Sequence, residues 1–397
     1  MLADREKCTG CAACYCTCEN ESIEMKEDMA GFKYPYINVS KCINCKKCEM
    51  GCPVLHPNLK EKYNQSGYIL QNKDKNKLYE STSGAVFPEI AEYVIGKGGK
   101  VYGAAFSDDL CVEHIAIESI DELHKLKKSK YVQSYVHNIY RDIKYELNQN
   151  REICFSGTPC QVEGLLAFLG RGYSNLITVD IVCHGVGAPT LWKKYIGYKE
   201  KKGKIGNACF RDKTKGYQYT QMRLDYINGT RYLQGTEYDQ MLRAFFSNIC
   251  DRESCYNCSF KKENRVSDIT VWDSFDNKLF GVDYDENVGS SKMLINSNKG
   301  LKVFNSVKNS FYYKEIDAKK LIDSSYEMTH SVSKNPKREQ FMFDLGELST
   351  ENLFRKYFPI DIKVRIKKAG REFLYRIGIY AWVRRKVNRI SRKLKKL

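Results

Sequence analysis

No apolar run in this chain approaches the ~18 residues that a membrane-spanning helix needs, the longest candidate being Ile377 to Val383. The opening Met-Leu-Ala-Asp-Arg-Glu-Lys reaches Cys8 with no apolar leader region, so a reducing, cytoplasmic compartment is the expectation. No phosphate loop, paired-carboxylate signature or Ser/His/Asp arrangement rises above background. A G-x-G-x-x-G turn between strand and helix is also missing, which disfavours ordinary nicotinamide binding. Against these absences stand seventeen cysteines, and in a reducing compartment clustered thiols are metal ligands or catalytic groups before they are bridges. At 397 residues the chain is expected to form more than one core.

The net charge of +17 is unevenly spread. Residues 363–397 hold fourteen Lys or Arg against the single acid Glu372, a net of +13, which leaves +4 for the rest. The body is nearly balanced, and no nucleic-acid recognition module accompanies the basic tail. Nucleic acid is not the expected partner.

Cys8, Cys11, Cys14 and Cys18 form C-x2-C-x2-C-x3-C, and Cys42, Cys45, Cys48 and Cys52 repeat it, with Pro53 following. Such loops turn three thiolates around one cubane while the fourth cysteine ligates the other. The spacing therefore pairs Cys8, Cys11, Cys14 and Cys52 in one 4Fe-4S cluster, and Cys18, Cys42, Cys45 and Cys48 in a second. A pair of zinc knuckles is the competing reading, but it needs only four thiolates per metal and seldom repeats this pattern. Thr9-Gly10 and Asn44 are small or turn-forming where backbone N–H groups must approach sulfide. Glu19 stands where a proline commonly follows the fourth cysteine, and Cys16 is an extra thiol, a spare or an alternative ligand. Two adjacent cubanes relay single electrons.

After His56 the chain turns polar, placing a boundary near residues 57–66. Strands are expected at Tyr68–Leu70, Lys100–Phe106, Glu152–Ser156 and Leu176–Val182. Helices are expected after a capping box at Ser119-x-x-Glu122, over Tyr135–Leu147, from Gly157-Thr158-Pro159-Cys160-Gln161 to Leu169, and from near Pro189. This alternation indicates an α/β domain with its ligand loops at the carboxyl ends of strands.

Phe155-Ser-Gly-Thr-Pro-Cys-Gln161, Val182-Cys-His-Gly-Val186, Ser129-Lys-Tyr-Val-Gln-Ser134 and Ser81-Thr-Ser-Gly84 together resemble the coenzyme F-420 hydrogenase/dehydrogenase beta subunit family. Phe210-Arg-Asp-Lys213, Arg252-Glu-Ser-Cys-Tyr-Asn-Cys258 and Ser267-Asp-Ile-Thr270 follow in that family's order, so the resemblance spans about residues 5–345. It implies an iron-sulfur oxidoreductase carrying FAD, with Ser83, Gly84, Ser129, Lys130, Tyr131, Ser134, Thr158 and Gln161 as flavin-site candidates. Loop packing is the alternative role for each. Where the family often continues with glycine, this chain has Val271-Trp272-Asp273, so its hydride-exchanging substrate can differ from the deazaflavin. Members of the family also accompany polysaccharide assembly in bacteria that lack that cofactor.

Cys255-x2-Cys258 is half of a metal site, and Cys160 and Cys183 offer two more thiols for a third 4Fe-4S cluster, with Cys209 and Cys250 also available. Alternatively Cys160 and Cys183 are inert buried thiols or line the flavin pocket, where Cys160 and His184 are the catalytic candidates.

From Ile366 onward apolar residues recur at Phe373, Ile377, Tyr380, Val383, Val387, Ile390, Leu394 and Leu397, one face of a basic helix with Trp382 near its middle. It is expected to lie on an anionic membrane surface at the inner face of the membrane, with partner binding as the alternative.

The chain is thus read as an α+β ferredoxin-like dicluster domain (1–60) followed by an α/β flavin domain (61–362) and a C-terminal amphipathic helix (363–397). Its expected partners are a redox protein or a small redox substrate. The alternatives to a flavin enzyme are a non-catalytic electron-transfer subunit, or a cluster-bearing interaction protein of surface polysaccharide biosynthesis.

Overall fold

The computed structural model describes residues 2–58, 63–284, 287–384 and 386–387. The cysteine-rich segment folds around an antiparallel hairpin, β1 (Ile23–Glu27) and β2 (Lys33–Ile37), flanked by one-turn helices at Ala13–Thr17 and Lys47–Met50. Each helix follows a left-handed residue, Ala12 in one and Lys46 in the other, and each loop has a second one two positions earlier, Gly10 and Asn44. The same four-cysteine spacing thus folds twice into the same loop. Keeping Ala12 and Lys46 left-handed costs about 1–2 kcal/mol each, offset when the loop closes on its ligand.

Eight further strands make one mixed sheet: β3 (Ser66–Asn72), β4 (Lys100–Phe106), β5 (Val112–Ile117), β6 (Ile153–Gly157) and β7 (Leu176–Ile181), then, after β8 to β10, β11 (Ile269–Ser274), β12 (Ser290–Ile295) and β13 (Phe311–Ile316). Their order is β13-β3-β12-β11-β7-β6-β4-β5. The inner four, β11, β7, β6 and β4, run parallel, so the loops after Phe106, Gly157, Ile181 and Ser274 open on one edge. Antiparallel strands extend the sheet on both flanks. The remaining strands, β8 (Ile205–Asp212), β9 (Gln221–Tyr226) and β10 (Arg231–Gly235), form a separate antiparallel sheet.

The expected strands and the Pro159 and Pro189 helices form where the pattern places them. The helix expected from Tyr135 starts later, at Ile139, because Tyr135 bridges Glu113 beside β5 and His137 takes φ 49°. At Ser119 the hydroxyl accepts from the Asp121 N–H, but Glu122 binds Lys125 rather than closing the capping box. The tail is not one continuous helix. It runs Ile362–Arg376, turns at left-handed Gly378 and becomes helical again from Tyr380, so Phe373 and Tyr380 no longer share a stripe. Ile390, Leu394 and Leu397 lie outside the described residues.

The cysteine-rich segment shares its interior with the body. Cys11, Ala12, Ala13 and Cys16 pack in one cluster with Tyr140, Phe155, Val162 and Leu165, and Ala30 and Phe32 join another with Leu191, Trp192 and Phe245. Gly164 marks the contact, since a Cβ there would sit 2.9 Å from Cys11 Cβ. Among the described residues no helix is long and apolar enough to cross a membrane.

A candidate redox centre beside a large cleft

Three groups of thiols come together. Burial, then the neighbouring thiols of Cys11, Cys8 and Cys52, push Cys14 up, and the same four cysteines line a small pocket with Ala12, Ala13 and Pro53. Burial and the nearby Cys18, Cys45 and Cys42 push Cys48 up. Cys8, Cys11, Cys14 and Cys52 thus neighbour one another, as do Cys18, Cys42, Cys45 and Cys48. Cys42 and Cys45 are exposed, so this second group faces solvent. Cys18 carries a thiol held below the usual range: burial would raise it, but hydrogen bonds from the Ser22 side chain and N–H prevail. Glu19 pairs with Lys47 of the second loop at 2.9 Å. Cys16 faces the body instead, giving its S–H to His137 O, and burial pushes it up to about 12. It belongs to neither group.

The third group joins three loops far apart in sequence. Cys160 is pushed up to about 11 by burial and by Cys258, Cys183 to about 12 by burial and by Cys160 and Cys258, and Cys255 up by burial, Asp251, Cys183 and Cys258. Cys250 packs in the interior beside Phe245 and Ile249, and Cys209 lies in β8. A metal cluster bound by these thiols would displace their protons. Asp251 lies beside them, fully buried, with neither carboxylate oxygen hydrogen-bonded and its value raised to about 7 by burial. Such a group normally has a partner. Among the described residues no three His, Cys, Asp or Glu close on a single metal ion.

Arg252 ties the third group to the first. Its guanidinium is completely buried and donates to Cys8 O at 2.8 Å, Lys33 O at 3.0 Å and Gln133 Oε1 at 2.8 Å, while stacking over Tyr34 at 4.0 Å. Gln133 in turn donates to Thr9 O. Gly10, at φ 67°, is needed because a Cβ there would lie 2.8 Å from Gln133 and 2.9 Å from Arg252. Cys160 also counts among the groups acting on Cys11, so the first and third sets adjoin.

A cleft of about 2020 Å³ opens over the carboxyl edge of the sheet. Ser83, Ser129, Lys130, Tyr131, Ser134, Thr158, Gln161, Cys183 and His184 line it; Gly84 does not. Gly84 instead donates its N–H to Ser291 Oγ, and a Cβ there would meet Leu70 O at 2.6 Å. Gln161 is committed to the turn: its Oε1 accepts from Thr158 N–H and its Nε2 donates to Ser134 Oγ. Ser134 then contacts His114, whose other ring nitrogen meets Ser156 O at 3.1 Å; burial holds His114 down to about 4, hence neutral. Tyr131 stacks face to face on Phe245 at 4.4 Å. His184 is held by Asn248 Oδ1 at 2.8 Å against Phe245. Thr158 Oγ1 lies 3.1 Å from Cys160 Sγ, so the cleft wall and the third group share a turn. Trp272 reaches the cleft edge, its indole donating to Ser325 Oγ at 2.7 Å, next to an ion pair of Arg211 and Asp273 on the wall.

His114, Gln133, Asp251 and Arg252 were not singled out as site residues from sequence. Arg252 and Gln133 carried a signal, since they stand in the motifs Arg252–Cys258 and Ser129–Ser134; His114 and Asp251 are chosen by packing.

Residues 150–320 match the family model for the C terminus of the coenzyme F420 hydrogenase/dehydrogenase beta subunit, and residues 7–55 match the 4Fe-4S dicluster domain. An uncharacterized ferredoxin of Methanocaldococcus jannaschii is 42% identical over 53 residues, which is 13% of this chain and 68% of that protein. A chain of the F420-reducing [NiFe] hydrogenase complex from Methanosarcina barkeri, solved as a xenon derivative, aligns with a TM-score of 0.41 at 12% identity over 77% of this chain and 96% of its own.

Proposed function

We propose that this chain, whose residues 150–320 match the C-terminal model of the coenzyme F420 hydrogenase/dehydrogenase beta-subunit family and whose residues 7–55 match the 4Fe-4S dicluster domain, is a flavin-linked iron-sulfur oxidoreductase. A bound flavin would exchange two electrons with a hydride donor or acceptor on one side and single electrons with the clusters on the other. The observation that carries this reading is the position of Cys183, which lines the cleft and also belongs to the third thiol group. From there the groups follow one another: Cys160 neighbours Cys11 of the first, and the exposed second group is reached across the Ala13–Thr17 helix to Cys18. Cys160, Cys183, Cys255 and Cys258 would hold a third cluster between cleft and dicluster domain.

Within the cleft Tyr131 on Phe245 offers an aromatic face, Ser83, Ser129 and Thr158 offer hydroxyls, and Lys130 offers the cation. Ser134 and neutral His114 rigidify the floor. His184, fixed by Asn248, would hold or move a proton at Nε2 or Nδ1. Quantifying flavin and iron in anaerobically purified protein tests the proposal, with about one flavin per chain expected. Protein that neither retains nor takes up flavin would sink it, leaving a cluster protein that serves a separate catalyst.

Lys130 also predicts how binding responds to pH. Burial lowers its ammonium to about 7. A phosphate-bearing ligand in the cleft raises that value, so above pH 7 binding takes up a proton and weakens as pH rises. Affinity for FAD should fall by up to about tenfold per pH unit between about 7 and 9, and Lys130→Met should flatten the profile. Titration followed by flavin fluorescence checks it; a Lys130→Met profile as steep as the wild type refutes the assignment.

A further inference from the structure

The tail helix Ile362–Arg376 has two faces with different surroundings. One is fastened to the body: Arg371 is buried, pairs with Glu237, donates to Thr236 Oγ1 at 2.9 Å and lies over Tyr219 at 3.9 Å. Lys368 covers Tyr238 at 4.5 Å, and Tyr375 and Tyr380 meet the ring of Tyr219. Together with the helical turn that follows, this face forms a wall of the cleft through Arg371, Leu374, Tyr380, Trp382, Val383 and Val387.

The other face is apolar and uncovered. Ile362, Ile366, Phe373 and Ile377 are 74%, 66%, 60% and 48% exposed. Their spacing of four, seven and four residues holds them in a band about 60° wide along ~22 Å of helix. Besides Lys368 and Arg371 on the fastened face, residues 362–376 hold four Lys or Arg, Lys363, Arg365, Lys367 and Arg376, against the single acid Glu372. A narrow apolar stripe bordered by cations, parallel to its support, matches the charge and depth of an anionic bilayer surface.

We propose that this helix docks on an anionic lipid surface through Ile362, Ile366, Phe373 and Ile377, and that docking sets the mouth of the cleft, rimmed by Trp382 and Val387, against that surface. Because Arg371 and its partners hold the opposite face, the helix carries the body with it. The cleft then opens toward the interface, where a membrane-borne redox substrate would enter. The last clause rests on the flavin-linked reading; the docking itself does not.

The test uses the full cluster-loaded chain with vesicles of phosphatidylglycerol and phosphatidylcholine, or of phosphatidylcholine alone. Protein should sediment with the anionic vesicles and not the neutral ones, less so as salt rises. Ile366→Glu with Phe373→Glu should lower anionic-vesicle binding about tenfold or more while iron content stays unchanged, since both side chains face solvent. Brominated acyl chains should quench the part of the emission that Trp382→Phe removes. Undiminished binding of the double variant, or equal binding to neutral vesicles, overturns the docking. Stripe-dependent self-association without vesicle binding overturns it in favour of a second copy of the chain. Vesicle binding that leaves Trp382 unquenched overturns the placement of the cleft mouth.

Discussion

Serine at both Cys160 and Cys183 should lower the iron of the anaerobic protein by about one third, from about twelve to about eight per chain, with the dicluster signals intact. The expectation follows from grouping: these two thiols lie with Cys255 and Cys258, while only Cys160 also neighbours Cys11 of the first set. Serine at Cys14 removes a ligand of the first group instead, and should cost about four irons while the Cys160 group remains. Electron transfer from a reduced flavin to the exposed second group should fail in the first variant even with the dicluster domain loaded, because Cys183 is where the thiol groups reach the cleft. Iron analysis and rapid-mixing absorbance read the two effects separately. About eight irons in the unaltered protein, unchanged by the double substitution, would remove the third cluster from the scheme.

Alanine at Arg252 should destabilise the protein by about 3–5 kcal/mol and loosen the first cluster before the second. Hydrogen bonds from a charged donor contribute about 1.5–3 kcal/mol each, and three buried acceptors, Cys8 O, Lys33 O and Gln133 Oε1, lose their partner together. The losses are coupled, so they do not sum. Lysine should recover less than half of the stability, because a point charge cannot serve three separated acceptors as a planar fork does. Denaturant unfolding with iron release followed at the same time measures both. An Arg252→Ala protein of native stability and full iron would show that the first loop is held by its cluster alone.

Much of this molecule can be read locally. The doubled C-x2-C-x2-C-x3-C spacing sets both loops and points to the exchange of their fourth cysteines, because each C-x2-C-x2-C turn directs three thiolates toward one cubane. The parallel strands announce themselves as buried runs, and Thr158 with Gln161 marks a helix start. What is not legible is whichever choice depends on a distant neighbour. Gly84, Gln161 and Ser134 stand in motifs that suggest one flavin site, yet Gly84 is a close-packing point between β3 and β12, and Gln161 closes a helix cap. Tyr135 is apolar enough to open a helix, but pairing with β5 displaces that start to Ile139.

Absences disfavoured ordinary nicotinamide binding and left no apolar run long enough to span a bilayer, and cysteine spacing alone pointed to the dicluster module. Tertiary structure decided the rest. It separated Cys16 from the other thiol groups by turning it toward His137, gathered Cys160, Cys183, Cys255 and Cys258 from three segments, and broke the tail at Gly378 after a helix with one face on the cleft and the other exposed. The physical reason is range: ligand loops and caps are set by bonds within a few residues, whereas burial, and the pairing of Arg252 with Cys8 or of Arg371 with Glu237, exist only once segments more than a hundred residues apart are packed together.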